Sequence, residues 1–157
     1  YEIERKFLIK MPELDKVKNP TLKKLEIIQT YLNSADGEEV RIRQRGDGKS
    51  FIYTKTIKKK VTNSTRAEYE KRITREEYLS LLLDADTNRG QIRKTRYCLV
   101  HKNQYLEIDV YPFWKDRAIL EVELTDENQK FSLPKFIEVI EEVTGNEQYS
   151  NYNLSKH

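Results

Sequence analysis

Along most of the chain apolar and polar residues alternate one for one, the pattern of strands whose two faces meet different surroundings. The alternation runs through about 2–10, 25–33, 38–46, 50–58, 65–74, 90–100, 104–112 and 117–125, and predicts eight strands. Gly46-Asp47-Gly48, His101-Lys102-Asn103-Gln104 and the turn around Trp114-Lys115-Asp116 are tight-turn sequences between them. Consecutive hairpins make neighbours antiparallel, so the expected architecture is a meander closing into an eight-stranded antiparallel β-barrel. The period changes to a helical one in few places. Thr74-Arg75-Glu76-Glu77 is a capping box opening a helix to about Asp84. Ser132 heads a second predicted helix, with Leu133, Phe136, Ile137, Ile140 and Val143 on one face and Gly145 as its stop. A short third one fits between Glu147 and His157. The fold class expected is mainly β (α+β), a charged barrel with a few helices packed outside.

The polar faces sort by sign. Residues i and i+2 share a face, which places Glu2, Glu4 and Lys6 together, and likewise Arg41 with Arg43, Glu68 with Glu70, Lys94 with Arg96, Glu107 with Asp109 and Glu121 with Glu123. Lys55 shares its face with Phe51 and Tyr53. A merely solvated sheet face would mix signs, because like charges close together are destabilising. Same-sign pairs nevertheless recur on six strands, and eight acids stand against six bases once Lys6 and Lys55 are counted. The net charge, 29 − 26 = +3, hides this arrangement.

Closing the sheet with these faces inward gives a polar lumen. Clustered carboxylates repel unless cations sit among them, and an all-oxygen donor set suits hard cations such as Mg²⁺ or Mn²⁺. Rows of Arg and Lys are costly without an anion between them, and guanidinium forks match phosphate oxygens. A metal-bound polyphosphate satisfies both demands.

Composition narrows the remaining classes. A length of 157 residues is one domain, 1–157, and ten Tyr and five Phe argue against disorder. No apolar run approaches twenty residues, and Tyr1-Glu2-Ile3-Glu4 is unlike a signal peptide. A single cysteine, Cys98, excludes an internal disulfide, and a cytoplasmic location is expected. Two histidines, His101 and His157, leave no zinc cluster of the Cys/His kind.

Taken in order, Glu2-x-Glu4-x-Lys6, Gln29-Thr30-Tyr31-Leu32, Arg41-x-Arg43, Lys55, Glu68-x-Glu70, Lys94-x-Arg96, Glu107-x-Asp109 and Glu121-x-Glu123 resemble the CYTH superfamily, the triphosphate tunnel metalloenzymes. The likeness spans roughly residues 2 to 124, and the compact length resembles the small bacterial inorganic triphosphatase-like members. The resemblance implies an eight-stranded tunnel in which Lys6, Arg41, Arg43, Lys55, Lys94 and Arg96 hold a triphosphate. It implies that Glu2, Glu4, Asp109, Glu121 and Glu123 bind one or two Mg²⁺ or Mn²⁺ ions, with Glu68 and Glu70 assisting. Glu2, Glu4, Lys6 and Glu123 are the expected catalytic centre, and Tyr31 is expected to touch a lumen lysine, Lys94.

The function expected is hydrolysis of a triphosphate by metal-activated water, inorganic tripolyphosphate first and nucleoside or thiamine triphosphate next. The alternatives are a class IV adenylate cyclase making cyclic AMP from ATP and a non-catalytic module binding polyphosphate or RNA. A small-molecule triphosphate, rather than nucleic acid or a membrane, is the expected partner, and homodimerisation stays open. Arg45, Arg72 and Arg117 read as salt bridges at the barrel ends, Lys58-Lys59-Lys60 as a solvated hairpin tip, and Cys98 as a small packing residue.

Overall fold

Eight strands form where the alternation places them: β1 (Glu2–Lys10), β2 (Lys23–Tyr31), β3 (Glu38–Gly46), β4 (Phe51–Lys60), β5 (Thr65–Ile73), β6 (Ile92–His101), β7 (Gln104–Val110) and β8 (Arg117–Glu123). The structure, a computed structural model, describes residues 2–155 of the 157-residue chain, Glu2 by its backbone alone. The spatial order is β5-β4-β3-β2-β6-β7-β8-β1, and a β5–β1 pairing closes the barrel. All pairs in it are antiparallel. The order departs from a plain meander. The barrel is two four-stranded sets, β2 to β5 and β6 to β8 with β1, joined along β2–β6 and β5–β1. The β6–β7 turn puts Lys102 and Asn103 at φ 48° and 62°, the twist a two-residue hairpin needs.

Apolar residues face outward on one half of the wall. Phe7, Ile9, Leu99, Leu106, Ile108, Leu120 and Val122 are buried there beneath Phe131, Leu133, Phe136 and Ile137 of the following segment. Each fully buried aliphatic side chain is worth about 1.5–3 kcal/mol of transfer free energy. The other half has a smaller outer cluster, Leu32, Ile42, Ile73 and Tyr78, under helix α1 (Arg75–Leu81). The capping box opens α1 as expected: Thr74 Oγ1 accepts from Glu77 N at 3.1 Å, and Glu77 Oε1 accepts from Thr74 N at 3.1 Å. A 3-10 turn, Leu82–Asp84, finishes it.

Inside, one end of the barrel is filled by an apolar plug of Leu8, Ile92, Tyr111, Ile119, Val143 and Leu154. Leu154 comes from α2 (Asn151–Leu154), the short helix expected near the C-terminus. No helix among the described residues is long and apolar enough to cross a membrane.

The helix predicted after Ser132 does not form. Residues 139–142 make a ninth strand, β9 (Val139–Glu142), on the edge of β1. The open edge of β1 offers backbone groups at Phe7–Ile9 that a strand can satisfy and a helix cannot. Ser132 is engaged elsewhere, its N donating to Gln104 Oε1 at 2.9 Å and its carbonyl accepting from Gln104 Nε2 at 2.6 Å. Four of the five apolar residues still reach the core, over two separate clusters, Leu133, Phe136 and Ile137 on the outer wall and Val143 in the plug, while Ile140 is exposed on β9. Gly145 is a turn residue at φ 72°, where an added Cβ would sit 2.7 Å from Asn63 Cβ.

Candidate functional site: a charged lumen

The register brings the charged faces into one enclosure. Glu4 lies opposite Glu123 and Lys6 opposite Glu121 across β1–β8; Glu107 lies opposite Glu121 across β7–β8. Arg96 lies opposite Asp109 across β6–β7. On the far wall Arg43 pairs with Gln29 and Arg41 with Tyr31 across β2–β3. A cavity of about 150 Å³ lies between these walls. Its lining is Arg41, Arg43, Arg45, Arg96 and Lys58 against Glu68, Glu70, Glu107, Glu121 and Glu123, with Asn151 the single uncharged side chain.

The bases are buried beyond what they would tolerate unaided. Arg41 and Arg43 are 5% and 6% exposed, and among the described residues the Nε of each has no hydrogen-bond partner. A buried unpartnered N–H costs about 1–3 kcal/mol, more on a charged group. Burial, followed by repulsion from Arg41 and Arg96, pushes the Arg43 guanidinium down to about 9. Its Nη2 donates to Gln29 Oε1 at 2.6 Å, and Gln29 Nε2 donates to Tyr31 Oη at 3.2 Å. Tyr31 thus sits under the arginine row, 1% exposed, with burial raising its phenol above the ordinary range.

The acids divide into two sets. Asp109 is enclosed by bases: Lys94 Nζ lies 2.7 Å from Oδ2, and Arg96 donates from Nε to Oδ1 at 2.8 Å and from Nη2 to Oδ2 at 2.9 Å. Burial works against the Asp109 carboxylate, but Arg96 and Lys94 outweigh it and hold the carboxyl well below its usual range. Burial also pushes the Lys94 ammonium below the ordinary lysine range, against the pull of Asp109. Arg96 reaches Glu107 as well, at 3.1 Å. There burial wins and raises the carboxyl.

The second set is Glu4, Glu121 and Glu123, whose carboxylate oxygens can come within 4.8 Å of one another. Lys6 Nζ stands 3.6 Å from Glu121 Oε1. Burial of Glu121 is outweighed first by Lys6 and then by Arg96 and Lys94, and its carboxyl falls to about 2. Three carboxylates converging around one point are a donor set of oxygens that fits a hard divalent cation.

Most residues expected at the site stand together, with two departures. Lys55 points the other way. Arg41 and Arg43 lie opposite Thr56 and Thr54, so the lumen face of β4 carries Thr54, Thr56 and Lys58, while Lys55 shares the outer face with Tyr53. Lys58 takes the inward place instead, its side chain 12% exposed and 3.8 Å from Glu68. It is not a solvated tip residue. Asp109 stands apart from the glutamate cluster, tied to two cations, and Lys94 contacts it rather than Tyr31. Glu68 and Glu70 line the cavity, and Glu70 accepts from Thr56 Oγ1 at 2.9 Å. The side chain of Glu2 lies outside the described residues.

Arg45, read from sequence as a barrel-end salt bridge, lines the cavity. Asn151 and Gln29 went without a role, and only the three-dimensional register reveals theirs. Cys98 faces inward near one mouth, where burial pushes its thiol up.

Solved structures share this architecture. An inorganic triphosphatase, NE1496, aligns with a TM-score of 0.61 at 29% identity, over 100% of this chain and 95% of that one. A conserved hypothetical protein from Pyrococcus furiosus aligns at 0.60 with 22% identity, over 80% of each chain. HpAC1 from Hippeastrum, a putative adenylyl cyclase described as having a dominant triphosphatase activity, aligns at 0.59 with 19% identity, over 80% of each chain. The last two likenesses concern the fold alone. No curated protein sequence matches the chain. The family model of the CYTH domain matches residues 1–151, nearly the whole barrel with its glutamate cluster and arginine rows, and the chain belongs to the CYTH family.

Proposed function

We propose that the protein hydrolyses a triphosphate within the lumen, with Mg²⁺ or Mn²⁺ as cofactor and inorganic tripolyphosphate as first substrate. The observation that carries this is the pair of unpartnered, buried Arg41 and Arg43 Nε groups facing the same cavity as the glutamates. Oxygens of a phosphate chain would satisfy the guanidinium groups with charge-assisted hydrogen bonds. The small, wholly polar cavity and the NE1496 likeness favour the inorganic substrate.

Glu4, Glu121 and Glu123 would hold the cation, with Glu2 as a further ligand and Glu68 and Glu70 assisting from the facing wall. A divalent ion bound there supplies neutralisation of phosphate charge and a more acidic bound water. Arg41, Arg43, Arg45, Arg96 and Lys58 bind and align the phosphate chain and stabilise charge on the transferring group and the leaving diphosphate. Lys6, beside Glu121, balances the charge of the cluster. Lys94 and Asp109 position Arg96 rather than touch substrate. No side-chain nucleophile is required; the elevated Cys98 thiol is unsuited to the task.

A second reading, an organic triphosphate as hydrolase or cyclase substrate, draws on the barrel mouth. There Leu25, Ile52, Leu99, Val100 and Tyr105 line a recess of about 690 Å³ that shares Arg45 with the charged cavity. The binding-module alternative is disfavoured, since the lumen glutamates oppose phosphate affinity unless a cation is recruited.

The test is a panel of metals against tripolyphosphate, nucleoside triphosphates and thiamine triphosphate, measuring orthophosphate and cyclic nucleotide together. Mg²⁺- or Mn²⁺-dependent release of orthophosphate from tripolyphosphate is expected. Cyclic AMP with pyrophosphate would move the assignment to the cyclase, and metal-independent binding without turnover would end the enzymatic reading.

A further inference from the structure

Among the described residues Asn151 is the one neutral side chain in a cavity otherwise lined by ten charged ones, and it comes from the C-terminal helix rather than the barrel. Its Oδ1 accepts a hydrogen bond from the Tyr111 hydroxyl. Tyr111 is 1% exposed, and burial together with Asp109 and Glu121 pushes its phenol well above the ordinary range, so it stays a donor at any physiological pH. With the carbonyl oxygen occupied, the amide plane is set. Among the described residues the remaining Nδ2 donates to no protein acceptor.

The helix that carries it is held on several sides. Ser150 caps it by accepting from Asn153 N at 3.1 Å, and Leu154 is buried in the apolar plug. The Tyr152 ring meets Tyr31 edge-on at 5.1 Å and lies under the Arg89 guanidinium at 3.6 Å. Holding a short helix by four contacts only to present a carboxamide to a charged void is understandable if the amide has an acceptor to meet. A phosphate oxygen entering the cavity would be such an acceptor.

We infer that Asn151 is a substrate-binding residue, its Nδ2 donating to a phosphate oxygen of the triphosphate, with Tyr111 positioning the amide. The inference rests on the triphosphate reading of the lumen and adds to it a contact that arrives with the C-terminal segment. An amide donor contributes a directional hydrogen bond without adding positive charge, so it favours the phosphate chain without strengthening repulsion among Arg41, Arg43 and Arg96.

The experiment compares wild type, N151D and N151A with inorganic tripolyphosphate as probe, by calorimetry in EDTA and as KM and kcat with Mg²⁺. N151D keeps the volume and the acceptor for Tyr111, and exchanges only the NH₂ for an oxygen. At pH 8 its dissociation constant is expected to rise about 30-fold or more, and that of N151A about tenfold, the range of a hydrogen bond to a charged group. KM should move more than kcat. N151D preserves the packing that N151A removes, so a deficit larger in N151D than in N151A marks the lost donor and the added negative charge. A packing defect would not produce that contrast. N151D binding within about twofold of wild type at pH 8 overturns the inference while leaving the triphosphate reading in place. Wild type that neither binds nor hydrolyses tripolyphosphate overturns both.

Discussion

Two sets of carboxylates share one lumen and meet opposite electrostatic circumstances. Asp109 is fully enclosed, 1% exposed, with Lys94 and Arg96 on both its oxygens. Glu4, Glu121 and Glu123 converge on each other with Lys6 as the near cation. In the first set both carboxylate oxygens are bonded by protein cations, and what it contributes is the orientation of Arg96. The second gathers three carboxylates around one point, an arrangement that a bound cation would draw together. The same residue types, spaced alike on neighbouring strands, therefore do different work according to which partner the register places opposite them.

Breaking the first set should have the larger effect on folding. D109A leaves Lys94 and Arg96 as buried cations without their shared anion, and an expected loss of about 3–5 kcal/mol should be readable by urea denaturation. An unchanged midpoint would mean that the cluster holds little. Breaking the second set should spare folding and remove chemistry. E123Q is expected to lower kcat on the order of 100- to 1,000-fold, while its melting temperature in EDTA stays level or rises as repulsion with Glu4 is relieved. A melting temperature that falls as far as that of D109A would erase the distinction between the sets.

Acidity sharpens the contrast further. The Glu121 carboxyl, at about 2 in the fold against an ordinary 4.5, contributes stability that is present above pH 4.5 and is lost as the pH falls from there through about 2. E121Q should flatten the stability profile across that window, a difference that acid titration followed by circular dichroism can read. The smallest effect is expected at Lys55. On the outer face, K55A should change kcat/KM by about twofold or less, whereas K58A, two residues beyond the lumen position Thr56 and on the same face as it, should raise KM visibly. Equal losses in both would contradict the register of β4.

The barrel was legible because period-2 alternation is strong and turn residues punctuate it: all eight strands lie within a few residues of where the pattern puts them. The lumen was legible for a related reason, since like charges at i and i+2 have no low-cost arrangement on a free face. Legibility fails where a strand is polar on both faces. Phe51–Lys60 carries Thr54, Thr56 and Lys58 on one side and Lys55 on the other, and only pairing with Arg41 and Arg43 decides which side is in. It fails again where two partners compete. Nothing in Glu107-x-Asp109 says that Asp109 meets Lys94 and Arg96 across the β6–β7 hairpin, and Glu121 meets Glu4 only because β8 pairs with β1, a strand remote in sequence. The apolar spacing after Ser132 fits a helix, and the unpaired edge of β1 overrides it.

That edge has a consequence for how the molecule coexists with copies of itself. β1 joins β5 only at Glu2 and Ile3, so without β9 its amides and carbonyls at Phe7–Ile9 would form a ready template for a foreign strand. β9 occupies that template, and presents as the new rim four exposed residues, two of them glutamates, with Glu142 fastened to Arg5 by a bond of 2.8 Å. A strand of only four residues, half of them charged, is a poor surface for further addition. The segment thus acts as a hem that keeps the sheet from fraying into aggregates, whatever passes through its interior.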